Sequence, residues 1–277
     1  MKAWIDGIAL WTPAWPGWPT ARAALRGEAA APAVTSSAPT APSASSARPA
    51  PAALPPNERR RASDAVLLAL QVAEDALAAS GHTAHAVSGV FTSAHGDLGI
   101  VDALARTLAA DPLLLSPTRF HHSVHNAAAG YWSMASGSHA PTTALAAYGH
   151  SFAAGLLEAL VQCAADARPV LLVGTDTEAG GPLASVNTSR GLLGVALVLA
   201  PQRGARSLWR LDAALYPAPT APVPLTSDAA QALATNAMAD ALPLFERLAA
   251  GRDAQLALPL GACLALQVQL SALVGTG

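Results

Sequence analysis

No histidine follows His150 anywhere in the 277 residues, and no aspartate, glutamate or cysteine lies between Pro112 and Glu158. The first absence removes the base from any catalytic set in which a nucleophile at or after Gly149 must precede its histidine by more than one residue in chain order. The second leaves the middle of the chain without a carboxylate to complete a metal site or a charge pair. Lys2 is the only lysine among 16 basic Lys and Arg residues, and the formal net charge is −2. There is thus no basic field to hold a nucleic-acid backbone or an anionic membrane. The two cysteines, Cys163 and Cys263, cannot build a metal cluster or a disulfide framework, and both are expected to be small buried hydrophobes. No stretch reaches the ~18 unbroken apolar residues of a membrane span. The opening Met1-Lys2-Ala3-Trp4-Ile5-Asp6 puts a carboxylate where a signal peptide needs an apolar run, so a cytoplasmic protein is expected.

What is present is apolar. Hydrophobic residues make up 52% of the chain and charged residues 12%, enough to bury a large core. Ala3 to Leu10 reads as a strand, and Thr20 to Leu25 as a short helix. Between them, Trp11 to Trp18 is a turn-rich stretch whose indoles are expected to pack on the core. From 29 to 56 the composition shifts to Ala, Pro, Ser and Thr, with Arg48 the single charge, and a flexible insertion is expected there. The remainder, and with it residues 1–277 as a whole, is expected to form one domain.

Order resumes at Ser63, a plausible N-cap, with Val66, Leu67, Leu70, Ala73 and Leu77 at helical spacing and Gly81 closing the helix. Val87 to Thr92 reads as a strand and Gly99 to Leu108 as a helix. Val170 to Gly174 and Leu192 to Leu199 are short continuous apolar runs, the pattern of strands covered on both faces. Helical stretches are expected over Phe152–Ala167 and Ser227–Leu248, and Leu256–Leu258 with Cys263–Leu270 reads as a closing strand pair. Alternating strands and helices predict an α/β fold with a largely internal sheet.

The chemistry-bearing segment runs from Ser116 to Leu160. A short strand, Ala144 to Ala147, meets a sharp turn at Tyr148-Gly149-His150-Ser151, and a helix starts at Phe152. Such a turn presents a residue at a helix N-terminus, where free N–H groups favour a nucleophile or an anion. Gly149-His150-Ser151-Phe152-Ala153 resembles the nucleophile elbow of α/β-hydrolases, with Ala for the last Gly. That fold needs a histidine after the serine, and none follows. His121, His122 and His125 crowd the upstream part, with His139 and His150 nearby. His121 and His125 share a helical face, but no further ligand completes a site, so hydrogen-bonded or interface histidines are expected, and no metal or other cofactor.

A second resemblance is more extensive. Asn126, Ala129-Gly130, Ser133-Met134 and Ala140-Pro141 occupy the places of a pattern found in the β-ketoacyl synthases of the thiolase superfamily. In those enzymes a Gly-Pro pair is followed by a strand that ends in the nucleophilic cysteine. Counted from Pro141, that cysteine falls on Gly149, and the Ser or Thr two residues later is Ser151. Val170 to Glu178 is similar to the strand that ends in Gly-Gly-x-Glu, and the resemblance reaches from the Arg61–Gly81 helix to about residue 200. The family also uses two histidines from its second half, for which this chain has no counterpart.

The resemblance implies a thiolase-like layered α/β fold with a shortened C-terminal half. It implies no catalytic residue, Gly149 being a vestigial nucleophile position beside Ser151. It is most similar to the chain-length-factor-like subunits of aryl polyene and related pigment biosynthesis. Such subunits are non-catalytic partners of a cysteine-bearing ketosynthase that shape the tunnel for the growing chain. A heterodimer with that ketosynthase and contact with acyl carrier protein are therefore expected, a homodimer being conceivable in isolation. Asn126, Tyr131, Trp132, Ala146 and Tyr148 are expected at or near the interface. Two other readings stay open: a divergent acyltransferase or condensing enzyme using Ser151, and a stand-alone homodimer that binds acyl carrier protein. Asp176 and Glu178 are expected to accept hydrogen bonds from loop N–H groups.

Overall fold

The structure, a computed structural model, describes residues 1–28, 48–217 and 221–273. In chain order its elements are β1 (Lys2–Trp11), α1 (Trp18–Leu25), α2 (Pro56–Arg61), α3 (Asp64–Ser80), β2 (Ser88–Thr92), α4 (Leu98–Ala110), α5 (Pro117–Ser123), α6 (Ala127–Ser136), β3 (Thr142–Leu145), α7 (Ser151–Ala165), β4 (Val170–Asp176), β5 (Leu193–Ala200), β6 (Trp209–Pro217), α8 (Asp228–Ala232), α9 (Leu242–Ala250), β7 (Ala254–Gly261) and β8 (Leu264–Ala272). The strands form one eight-stranded sheet in the order β3-β2-β4-β5-β1-β6-β8-β7. β2 pairs in parallel with β3 and β4, and every other pairing is antiparallel.

Helices cover both faces of the sheet, which is why β4 and β5 read as continuous apolar runs and are buried along their whole length. Alternate residues serve opposite sides. Leu172, Val195 and Leu197 join the core under α7, α1 and α9, whereas Leu171, Val173 and Val198 join the core under α3 and α6. Helix α3 starts where Ser63 Oγ accepts the Val66 N–H and ends at Gly81, whose φ of 74° is left-handed. It lies so close to β1 that a Cβ on Gly7 would stand 2.1 Å from the Ala76 carbonyl oxygen. Only glycine fits there.

Several expectations need correction. The helix expected over Ser227–Leu248 is broken into α8, a turn region and α9. Pro243 lies in the first turn of α9, where its missing N–H costs nothing, whereas it would interrupt a continuous helix. The buried Glu246 carboxylate accepts from the backbone and hydroxyl groups of Thr226 and Ser227, fixing the entry to α8. Strand β6 was not expected, although Trp209, Leu211 and Ala213 are buried in alternation. Cys163 is buried as expected, but Cys263 is exposed in the β7–β8 turn.

Of the Ala/Pro-rich segment expected to be flexible over 29–56, residues 29–47 lie outside the described residues. The rest is pinned to α3: Glu74 accepts the N–H groups of Ala52 and Ala53, both at 2.7 Å, and Leu54 is buried. Trp11 and Trp15 are buried, as their expected packing role requires. Among the described residues no helix is long and apolar enough to cross a membrane.

Candidate functional site

Strand β3 lies at one edge of the sheet and leads, through Ala146 and Ala147, into a single helical turn at Tyr148–His150 and then into α7. Tyr148 has φ 50°, a left-handed conformation that a non-glycine residue adopts at a cost on the order of 1 kcal/mol. The turn is closed by Ser151, whose Oγ donates to the Tyr148 carbonyl at 2.7 Å and accepts the Ala147 N–H at 3.0 Å. Ser151 has no exposed surface. Its hydroxyl is therefore spent on holding the turn, and a nucleophilic role would require breaking both bonds. Gly149 is exposed, and a Cβ built on it would meet nothing within 4 Å. Gly149, expected at the family's nucleophile position, thus has room for a side chain.

Beside Gly149 is a cavity of about 550 Å³. Gly149, His150, Ala153, Asp240, Pro243 and Leu258 are among the residues that line it. Asp240 Oδ2 accepts the Phe152 N–H at 2.8 Å, at the start of α7. Its Oδ1 is shielded from solvent and has no hydrogen-bond partner among the described residues. Burial pushes the Asp240 carboxyl up to about 7, the Phe152 amide opposing this and the nearby Asp176 charge adding to it. The carboxyl thus spends much of its time protonated at neutral pH.

Asp176, at the end of β4, organises the loop on the other side of the turn. It accepts from Ser93 Oγ at 2.6 Å and from the N–H groups of Ala94 and His95 at 2.9 and 3.3 Å, as expected of a carboxylate following a buried strand. Burial still raises its pKa against these bonds. The loop it holds sets the His95 ring edge-on to Tyr148 at 5.3 Å. Glu178 does not share this role: it is exposed, and among the described residues no hydrogen bond to a loop N–H involves it.

The expected interface residues separate into two groups. Ala146, Tyr148 and Asn126 are exposed and Tyr131 is half-buried, whereas Trp132 is 3% exposed and packs in the core under α3. The Trp132 ring faces that core because α6 lies against α3 and β2, so it offers no free surface. Along the segment that leads to and follows β3, Leu113, Leu114, Phe120, Met134 and Tyr148 are each more than 60% exposed. Between residues 113 and 157 Arg119 is the single Lys, Arg, Asp or Glu.

The histidines are dispersed. His122 is buried, stacks on Tyr131 at 5.1 Å and lies with Nε2 3.3 Å from the Tyr131 hydroxyl, and burial lowers its pKa. His121 is exposed, and His125 Nε2 is 3.2 Å from the Ser93 carbonyl oxygen. No group of three metal-ligating side chains converges among the described residues. Sequence reasoning missed Asp240 and Asn236, which lie in an alanine-rich stretch with no motif. Asn236 Nδ2 reaches the carbonyls of Arg190 and Gly191 at 2.9 and 3.2 Å and so ties the region before α9 to the approach to β5.

A layered α/β sheet with a strand–turn–helix at its edge strand and a cavity beside the turn defines a ketosynthase-like member of the thiolase class. Within it, the family model described as "Beta-ketoacyl synthase, N-terminal domain" matches residues 33–260, and the chain belongs to that family. Solved structures agree on the fold. A chain of the ketosynthase ApeO in complex with its chain length factor ApeC from Xenorhabdus doucetiae is 21% identical with TM-score 0.70, covering 97% of this chain and 99% of that one. The ishigamide ketosynthase/chain length factor gives 16% identity and TM-score 0.72, covering 99% and 100% of the two chains. A β-ketoacyl synthase from Burkholderia phymatum STM815 gives 16% identity and TM-score 0.60, covering 88% and 70%. No curated protein matches in sequence.

Proposed function

We propose that the chain is a non-catalytic, ketosynthase-like partner subunit, a chain-length factor that pairs with a cysteine-bearing β-ketoacyl synthase and shapes its acyl tunnel. The observation that carries this reading is the turn itself: Gly149 stands where the family places its thiol, and the neighbouring hydroxyl of Ser151 is buried and doubly hydrogen-bonded. With no histidine beyond His150, the chain also lacks the groups that would decarboxylate an extender or stabilise an enolate. A thiolate and both proton-handling groups are missing together.

The surface supports a partner. β3 is an edge strand with one side of its backbone open to pairing, and Tyr148 just beyond it is an exposed large apolar residue. The likeness to ketosynthase/chain length factor complexes favours a heterodimer, and the resemblance of the Asn126–Pro141 segment favours an aryl polyene-type product. Acyl carrier protein delivers the substrate to the partner's thiol, and the site of action is the cytoplasm.

The test is a single-turnover condensation assay with malonyl and acyl carrier proteins. The isolated chain gives no product, and the cognate ketosynthase gives its full-length product when the chain is added. Condensation by the isolated chain would overturn the reading.

A further inference from the structure

Asp240 lies on the short turn Ala239–Ala241 and holds the first turn of α7 through one oxygen. Its Oδ2 accepts the Phe152 N–H, and Phe152 directly follows Ser151, whose hydroxyl closes the 148–151 turn. Its Oδ1 is shielded from water and has no hydrogen-bond partner among the described residues, although buried polar atoms are nearly always paired. Asp176 is a second buried carboxyl nearby, and among the described residues no ion pair involves either group. We propose that Asp240 is a proton-operated latch. While protonated it holds α7 and the 148–151 turn closed, and once ionised it draws the 239–241 segment away from α7 to hydrate the carboxylate.

The direction follows from the cost of charge at this place. A neutral carboxyl leaves Oδ1 with one hydrogen bond unmade, whereas a carboxylate holds charge there that neither water nor a donor reaches. Burial, and after it the Asp176 charge, raise the Asp240 pKa to about 7 against the Phe152 and Ala153 N–H groups. The turn packs on α7 and α9. At the start of α7 is His150, which lines the same cavity, and α9 carries Arg247 and Glu246, the latter held by Thr226 and Ser227. In the open form the carboxyl titrates at its ordinary 3.8, so opening becomes easier as pH rises from about 4 to about 7 and then levels off. Opening also releases the left-handed backbone of Tyr148, a conformation that its surroundings must impose. The latch is a property of the isolated chain. Its effect on pairing rests on the partner-subunit reading, in which a loosened turn weakens the partner surface as pH rises.

The experiment is native-state amide hydrogen exchange of the isolated full chain at pH 5 and 7.5, corrected for intrinsic rates, with and without urea below the unfolding transition. Protection of the 148–155 amides falls roughly tenfold or more between the two pH values. Their exchange does not respond to the low urea, as a local opening that exposes little surface requires. Asp240→Asn, which keeps an acceptor for Phe152, removes the pH dependence, and so does Asp240→Ala, with weaker protection at both pH values. Wild-type protection that is unchanged by pH, an equal fall in both variants, or exchange that rises with urea in step with α3 would each overturn the latch. Ketosynthase affinity that stays constant with pH, with the exchange as described, would instead count against a partner seated on this turn.

Discussion

Asp240 and Phe152, 88 residues apart, are joined by a 2.8 Å hydrogen bond that caps the start of α7 from the far side of the cavity. Because burial raises the Asp240 pKa from 3.8 to about 7, the folded state holds a proton that the unfolded state has already lost. Stability from this group is full below about pH 4 and falls as pH rises to about 7, with a slope of about 1.4 kcal/mol per pH unit in between. Asp176 adds a fall of the same sign, and neutral buried His122 adds one of the opposite sign, lost below its unfolded value of 6.5. Urea denaturation of wild type and Asp240→Asn at several pH values reads Asp240 together with its coupling to Asp176, since the remaining groups are common to both. The stability difference shifts in favour of the variant between pH 5 and 7.5. A pH-independent difference would contradict this assignment.

Ser151→Ala leaves the Ala147 N–H and the Tyr148 carbonyl without their shared partner inside a part-buried turn. A loss of about 2 kcal/mol is expected in denaturant unfolding. Were Ser151 a nucleophile, the same substitution would leave stability nearly unchanged and prevent a covalent acyl adduct, which mass spectrometry after incubation with an acyl thioester would have detected on the wild type.

Gly149→Cys has room for its side chain and should fold with wild-type stability. The new thiol becomes acylated by a reactive thioester but does not support condensation, because no histidine assists decarboxylation. Product formation above the uncatalysed background would show that some other group performs that step.

Several elements of the first two-thirds were legible from the sequence because local signals agree there, although α2, α5 and α6 were not expected. Ser63 and Gly81 bracket α3, and the unbroken apolar runs of β4 and β5 announce strands buried on both faces. The later part was harder because alanine fits every element and blurs period: β6 was overlooked, and α8 and α9 were merged across Pro243. The turn at 148–151 was located by its motif, but the commitment of the Ser151 hydroxyl to Tyr148 and Ala147 is a three-dimensional fact. Trp132 was expected at or near the interface, and its position on α6 turns it to the core under α3. Asp240 could not be found from its neighbours, Met238, Ala239 and Ala241, since its environment comes from α7.

Ala146 is exposed just beyond β3, so Ala146→Arg should leave the isolated chain folded. At a closed interface it would bury an unpaired guanidinium, costing on the order of 3 kcal/mol, or roughly 100-fold in affinity. Circular dichroism should be unchanged while the partner ketosynthase is lost on affinity purification. Undiminished co-purification would move the interface away from this edge.

The central claim is tested most directly by native mass spectrometry of the chain co-expressed with a cysteine-bearing ketosynthase from the same source. The account predicts a single one-to-one heterodimer that survives dilution to micromolar concentration. A chain that stays monomeric or pairs solely with itself beside an independently assembled, fully active ketosynthase would contradict it.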